Sequence, residues 1–138
     1  MASWLVKAWA AGFLLAGAAP AAATELWFCN NTSKPIYIAV AYYNTDHGDW
    51  YLYAYENLYE NSCGSLFNIA PGDFYYHVFN EDRSVHWPAD NYASDYYCIP
   101  TQGVNRRMRP GNCAEGETRA PFYQDRASGQ RYTVDINP

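Results

Sequence analysis

Apolar and polar positions alternate with a period of two in several short runs, separated by clusters of turn residues. Residues 36–43, IYIAVAYY, form the most apolar run outside the N-terminus. In an extended strand Ile36, Ile38, Val40 and Tyr42 share one face, and Tyr37, Ala39, Ala41 and Tyr43 share the other. A strand apolar on both faces belongs in the middle of a sheet. Leu26, Trp27 and Phe28 are strand formers placed just before it, and the intervening NNTSKP is a cluster of turn residues. After a second turn cluster, NTDHGD, residues 50–56 alternate again. Trp50, Leu52 and Ala54 fall on one face, and Tyr51, Tyr53 and Tyr55 on the other. The short connection predicts an antiparallel hairpin.

The same pattern predicts strands over residues 63–68, 74–79, 96–99, 122–125 and 130–136. Pro71-Gly72-Asp73 supplies a turn, since proline presets φ and glycine accepts a positive one. In the last strand Tyr132, Val134 and Ile136 oppose Thr133 and Asp135. Residues 80–95 carry Glu81, Asp82, Arg83, His86 and Trp87 and read as a long surface loop, a common place for function. Residues 100–117 are rich in Gly, Pro and Arg and read as turns. No stretch has a sustained helical period with caps. The expected fold is all-β, an antiparallel β-sandwich of about seven or eight short strands.

The N-terminus changes the picture of where the chain works. Lys7, the Ala/Leu-rich segment 8–19, Pro20 and Ala21-Ala22-Ala23 have the layout of a signal peptide cleaved after Ala23. The competing reading, a retained membrane anchor, lacks a long stop-transfer segment. Residues 1–23 are thus expected to be removed, leaving 24–138 as a single β-sandwich domain in the periplasm or outside the cell. All four cysteines, Cys29, Cys63, Cys98 and Cys113, lie in that exported part. An even number in a small exported domain implies disulfides, and no C-x-x-C spacing favours a metal. Three pairings are possible. The expected one is Cys29–Cys63, tying the opening strand to the strand after the hairpin, with Cys98–Cys113 closing a short turn-rich loop.

The residues also resemble a bacterial family known as domain of unknown function 1036. The likeness rests on the opening Phe28-Cys29-Asn30-Asn31-Thr32, the Ala/Tyr-rich second strand and Trp50 in the third. It continues through Cys63, Tyr75-Tyr76 and the later cysteines Cys98 and Cys113. Where that family often has Pro-Gly before its second cysteine, this chain has Glu60-Asn61-Ser62. The resemblance implies an exported bacterial β domain and supplies no catalytic residue.

Charge and chemistry narrow the function. The formal net charge is −5, which argues against a nucleic-acid partner. Ten acids face only Lys34 and Arg83 between Glu25 and Asp95, whereas six arginines face four acids from Tyr96 onward. There is no G-x-S-x-G, and paired cysteines are not nucleophiles. His47, His77 and His86 lack metalloprotease spacing. Asp46-His47-x-Asp49 reads as a solvated turn more readily than as a cation loop. A hydrolase would need two carboxylates facing one another, and nothing in the sequence brings Glu81 to Asp49. No catalytic residue, metal ligand or cofactor is expected.

All fourteen tyrosines follow the leader. Tyr51, Tyr53 and Tyr55, extended by Tyr37 or Tyr43, form the candidate binding face. Such a row could stack against sugar rings or anchor a protein. The expected function is a non-enzymatic exported domain that binds an envelope or extracellular glycan or protein. The alternatives are a structural envelope protein, in which the tyrosines are core contacts, and a carboxylate-based hydrolase.

Overall fold

The computed structural model describes residues 22–109 and 111–138. The expected leader therefore lies outside the described residues up to position 21. The described chain is all-β, built of β1 (Thr24–Asn30), β2 (Ile36–Asn44), β3 (Asp49–Leu58), β4 (Ser62–Ile69) and β5 (Gly72–Asn80), then β6 (His86–Trp87), β7 (Asp95–Pro100), β8 (Val104–Arg107), β9 (Glu117–Ala127) and β10 (Arg131–Ile136).

Two sheets face each other in a sandwich-like arrangement. The smaller has the order β10-β1-β4. The larger has the order β7-β9-β5-β2-β3-β8, with β6 added beside β5. All pairings are antiparallel except β1 with β10, which is parallel. The antiparallel expectation fails there because the first and last strands meet as neighbours, and almost the whole chain serves as their connection.

β2 is central, as its composition requires, and it has a core on each side. Ile36, Ile38 and Val40 pack between the sheets with Phe28, Phe74, Val78, Val134 and Ile136. On its opposite face Ala39 and Ala41 join Leu52, Ala54, Ile99, Ala120 and Phe122 in a second core. The small side chains on this face leave room for Phe122 and Ile99, which the outer strands fold over them. Two cores within one sandwich explain why both faces of β2 are apolar.

The opening Cys-Asn-x-Thr motif has a structural role. The Asn30 side chain is fully buried. Its amide donates to the carbonyls of Lys34 (2.8 Å), Leu58 (3.2 Å) and Tyr59 (3.1 Å). Its Oδ1 accepts from the Thr32 amide at 3.0 Å and hydroxyl at 2.7 Å. The motif thus closes the β1–β2 turn and ties it to the end of β3, so the buried Asn30 amide has its polar groups paired.

Both expected disulfides are formed: Cys29–Cys63 and Cys98–Cys113. Cys29 and Cys63 are direct cross-strand partners in β1 and β4. Two formed disulfides suit an oxidising, extracytoplasmic compartment.

Two regions read as loops contain strands. β6 lies inside the stretch 80–95, and β8 inside 100–117. β8 pairs with β3, and Gly103 makes that approach possible. A Cβ at Gly103 would stand 3.0 Å from the Ala54 carbonyl oxygen, a tight contact that the β3 backbone would have to shift to relieve. β9 is also longer than the expected 122–125, since it pairs with β5 through one half and with β7 through the other.

Candidate functional site

The five candidate tyrosines do not form one row. Between Ile38 and Ala39 the β2–β3 register shifts: Ile38 pairs with Glu56, but Ala39 pairs with Ala54. Tyr55 is the extra residue of this bulge, and a bulge re-aims its side chain. Tyr51 and Tyr53 stay on the face toward the smaller sheet, packed against the inter-sheet core. Tyr55 packs instead against the second core, where its hydroxyl donates to the Pro100 carbonyl and its ring meets Phe79 edge-on at 5.2 Å. Tyr37 stacks on the same Phe79 at 5.4 Å. Tyr43 is 42% exposed and lies 6.1 Å from Trp50. The alternation of WYLYAY gave no sign of the bulge, which accounts for the broken row.

Tyr53 behaves as a core contact. Its ring packs on Phe67 at 5.1 Å and its hydroxyl donates to Glu56 at 2.9 Å. Burial, followed by the Glu56 carboxylate, pushes its phenol up to about 12. The Tyr53→Ala variant is therefore expected to lose about 2 kcal/mol of stability, less than a fully buried aromatic would. Urea denaturation measures this; an unchanged midpoint would return Tyr53 to the surface.

The opposite face of the larger sheet carries a cavity of about 600 Å³. Trp50 and Leu52 of β3, Tyr75 of β5 and Tyr96 and Tyr97 of β7 line it, together with the Cys98–Cys113 bond and the chain around Met108. Trp50 meets Tyr75 edge-on at 5.7 Å, and Tyr75 meets Tyr97 edge-on at 5.5 Å. Burial, reinforced by a hydrogen bond to Asp95, raises the Tyr97 phenol well above its ordinary value. The volume lies within the range of small-molecule sites.

Three arginines, Arg106, Arg109 and Arg119, line the same cavity against one carboxylate, Glu117. Glu117 accepts hydrogen bonds from Arg106, Arg109 and the Ala114 amide, the last at 2.8 Å. Its side chain is only 8% exposed. The Ala114 N–H, then the two guanidinium groups, hold its carboxyl below the usual carboxylate range. Glu117 thus binds the start of β9 to the end of β8 and to the chain that follows. Arg119 lies over the Tyr96 ring at 5.2 Å, and no carboxylate of the described residues pairs with it.

Among the described residues no group of His, Cys, Asp and Glu could hold a metal ion. Asp49 pairs with Arg107 at 3.3 Å, and Glu81 is exposed in the turn after β5. The sequence alternation places Trp50 and Leu52 on a common face, opposite the one that carries Tyr51 and Tyr53. The available signal was the run of arginines between Cys98 and Arg119, which the disulfide folds against an aromatic sheet face. Compared with known families, curated proteins and solved structures, the chain has no significant match.

Proposed function

We propose that residues 24–138 are an exported, non-enzymatic binding module that takes an envelope or extracellular glycan in the cavity beside the Cys98–Cys113 bond. The observation that carries this reading is the convergence of Trp50, Tyr75, Tyr96 and Tyr97 from three strands on one concavity of about 600 Å³. Aromatic rings offer rigid faces for the apolar sides of sugar rings, and tyrosine adds a hydroxyl handle. The fold holds them through the sheet and the disulfide, so binding orders few side chains.

A binding role is also favoured over hydrolysis. The one carboxylate of the cavity, Glu117, accepts from three donors, which hold its carboxyl below the usual carboxylate range. A two-carboxylate glycosidase needs an acid that keeps its proton near neutral pH and a second carboxylate across the bond. A purely structural envelope role would leave the cavity without a ligand, and the same titration separates the two.

Tyr96 is the residue on which to test the site, because it is 39% exposed and its loss leaves both cores intact. Calorimetric titration of the exported protein, with its N-terminus verified at Thr24 by mass, is run against a panel of neutral and acidic oligosaccharides. Tyr96→Ala is expected to weaken binding by about 1–2 kcal/mol with stability changed by less than about 0.5 kcal/mol. Absence of any saccharide binding, or equal affinity in the variant, would remove the cavity reading.

A further inference from the structure

We infer that the ligand of this cavity is an acidic saccharide, a sugar ring bearing a carboxylate, with Arg119 as the group that receives the carboxylate. This rests on the glycan-binding reading above and specifies its ligand class. The argument starts from charge. The protein is acidic overall, at −5, and carries six arginines from Tyr96 onward. Three of those six converge on one cavity that holds a single carboxylate. A concentration of positive charge in a concave site on an acidic protein draws anionic ligands and raises their encounter rate.

The three guanidinium groups are not equivalent. Arg106 and Arg109 are both committed to Glu117. That cluster retains one positive charge, and Glu117 engages the Nη2 group of each guanidinium. Arg119 has only the Tyr96 ring beneath it. A guanidinium over an aromatic ring keeps its N–H donors available, and its fork suits bidentate pairing with a carboxylate. Trp50, Tyr75 and Tyr97 then provide the apolar surface for the ring that carries the carboxylate. An acidic peptide would satisfy the charge but leave those aromatic faces without flat partners.

The test uses calorimetry on the full exported chain with trimers of three uronic acids: galacturonate, glucuronate-containing and guluronate. Each is compared with its methyl ester, and hexaglutamate is the peptide control. At least one acidic trimer is expected to bind, at least tenfold more tightly than its ester, with affinity falling as salt rises. Arg119→Gln, an exposed position whose loss orphans no carboxylate, is expected to bring acid and ester to the same affinity. The inference is overturned if esters bind as well as acids, if Arg119→Gln keeps the preference, or if hexaglutamate competes equally. In the first case, loss of binding to both forms in Tyr96→Ala would leave the glycan reading standing without its acidic specificity. If no saccharide, acidic or neutral, binds at all, both readings fall together.

Discussion

Removing the Cys29–Cys63 bond by a double Cys→Ala substitution is expected to lower stability by about 4 kcal/mol. The bond joins residues 34 apart in sequence, and the chain-entropy model gives about that value for a loop of this size. The location adds to the effect. Cys29 and Cys63 are cross-strand partners in β1 and β4, next to the buried Phe28 and to Asn30, which closes the β1–β2 turn. β4 is an edge strand of the smaller sheet, so once it is untied only its ladder with β1 and its contacts across the core hold it. The Cys98–Cys113 bond spans 15 residues, and its removal is expected to cost less, about 3 kcal/mol. Single domains commonly have about 5–15 kcal/mol in total, so either loss is a large share. Urea unfolding of the two double variants measures both numbers. A change below about 1 kcal/mol for Cys29–Cys63 would mean that β4 docks without its staple.

What could be read from the sequence follows from which signals are local. The double-faced apolarity of β2, the β2–β3 hairpin and the amphipathic alternation of β10 are written in consecutive residues, and each of those strands forms. β8 was not legible: Asn105, Arg106 and Arg107 are polar, and Val104 is the one apolar residue, packed against the second core. The ladder of β8 with β3 supplies what its side chains do not. β9 begins earlier than its apolar segment because Thr118 and Arg119 gain backbone partners from Ile99 and Cys98. The bulge at Tyr55 is the clearest limit. It arises from a register choice between two strands, and the alternation of either strand alone is compatible with an unbroken pairing. The cavity lies beyond sequence reach for the same reason: its aromatic residues come from β3, β5 and β7, and its arginines from β8, β9 and the chain between them.

Acidification from about pH 6.5 to about pH 4 is expected to remove about 3 kcal/mol of stability through one side chain, His77. Its imidazole is 5% exposed, and its Nδ1 lies 2.8 Å from the Pro121 carbonyl oxygen. The carbonyl can only accept, so the neutral ring carries its proton on Nδ1 and donates it there. Phe79 and Phe122 pack against the ring, each with its centroid 5.8 Å away. A charged imidazolium would have to be buried among them, beside His86 with its ring 5.7 Å away. Burial, above all, lowers the pKa of His77 from 6.5 to about 4; the Pro121 carbonyl opposes the shift, the positive charge of His86 and Arg83 assists it, and Asp90 opposes it weakly. The unfolded chain therefore takes up this proton first as pH falls. The folded state binds fewer protons throughout the window, so stability rises with pH across it. The contribution is complete above about 6.5, falls steadily below it and is exhausted near 4. A shift of this size corresponds to about 3 kcal/mol at 1.36 kcal/mol per unit. His77→Gln keeps a neutral donor for the Pro121 carbonyl and cannot titrate. Carboxylates also titrate toward the acid end of this window, so the informative quantity is the difference in slope between wild type and variant. Urea unfolding at half-unit intervals from pH 7 to pH 4 measures it. The variant curve should be flatter by about 3 kcal/mol over that span, whatever its stability at pH 7. Parallel curves would mean that His77 accepts its proton in the folded state at no cost, through rearrangement of β5 against β9.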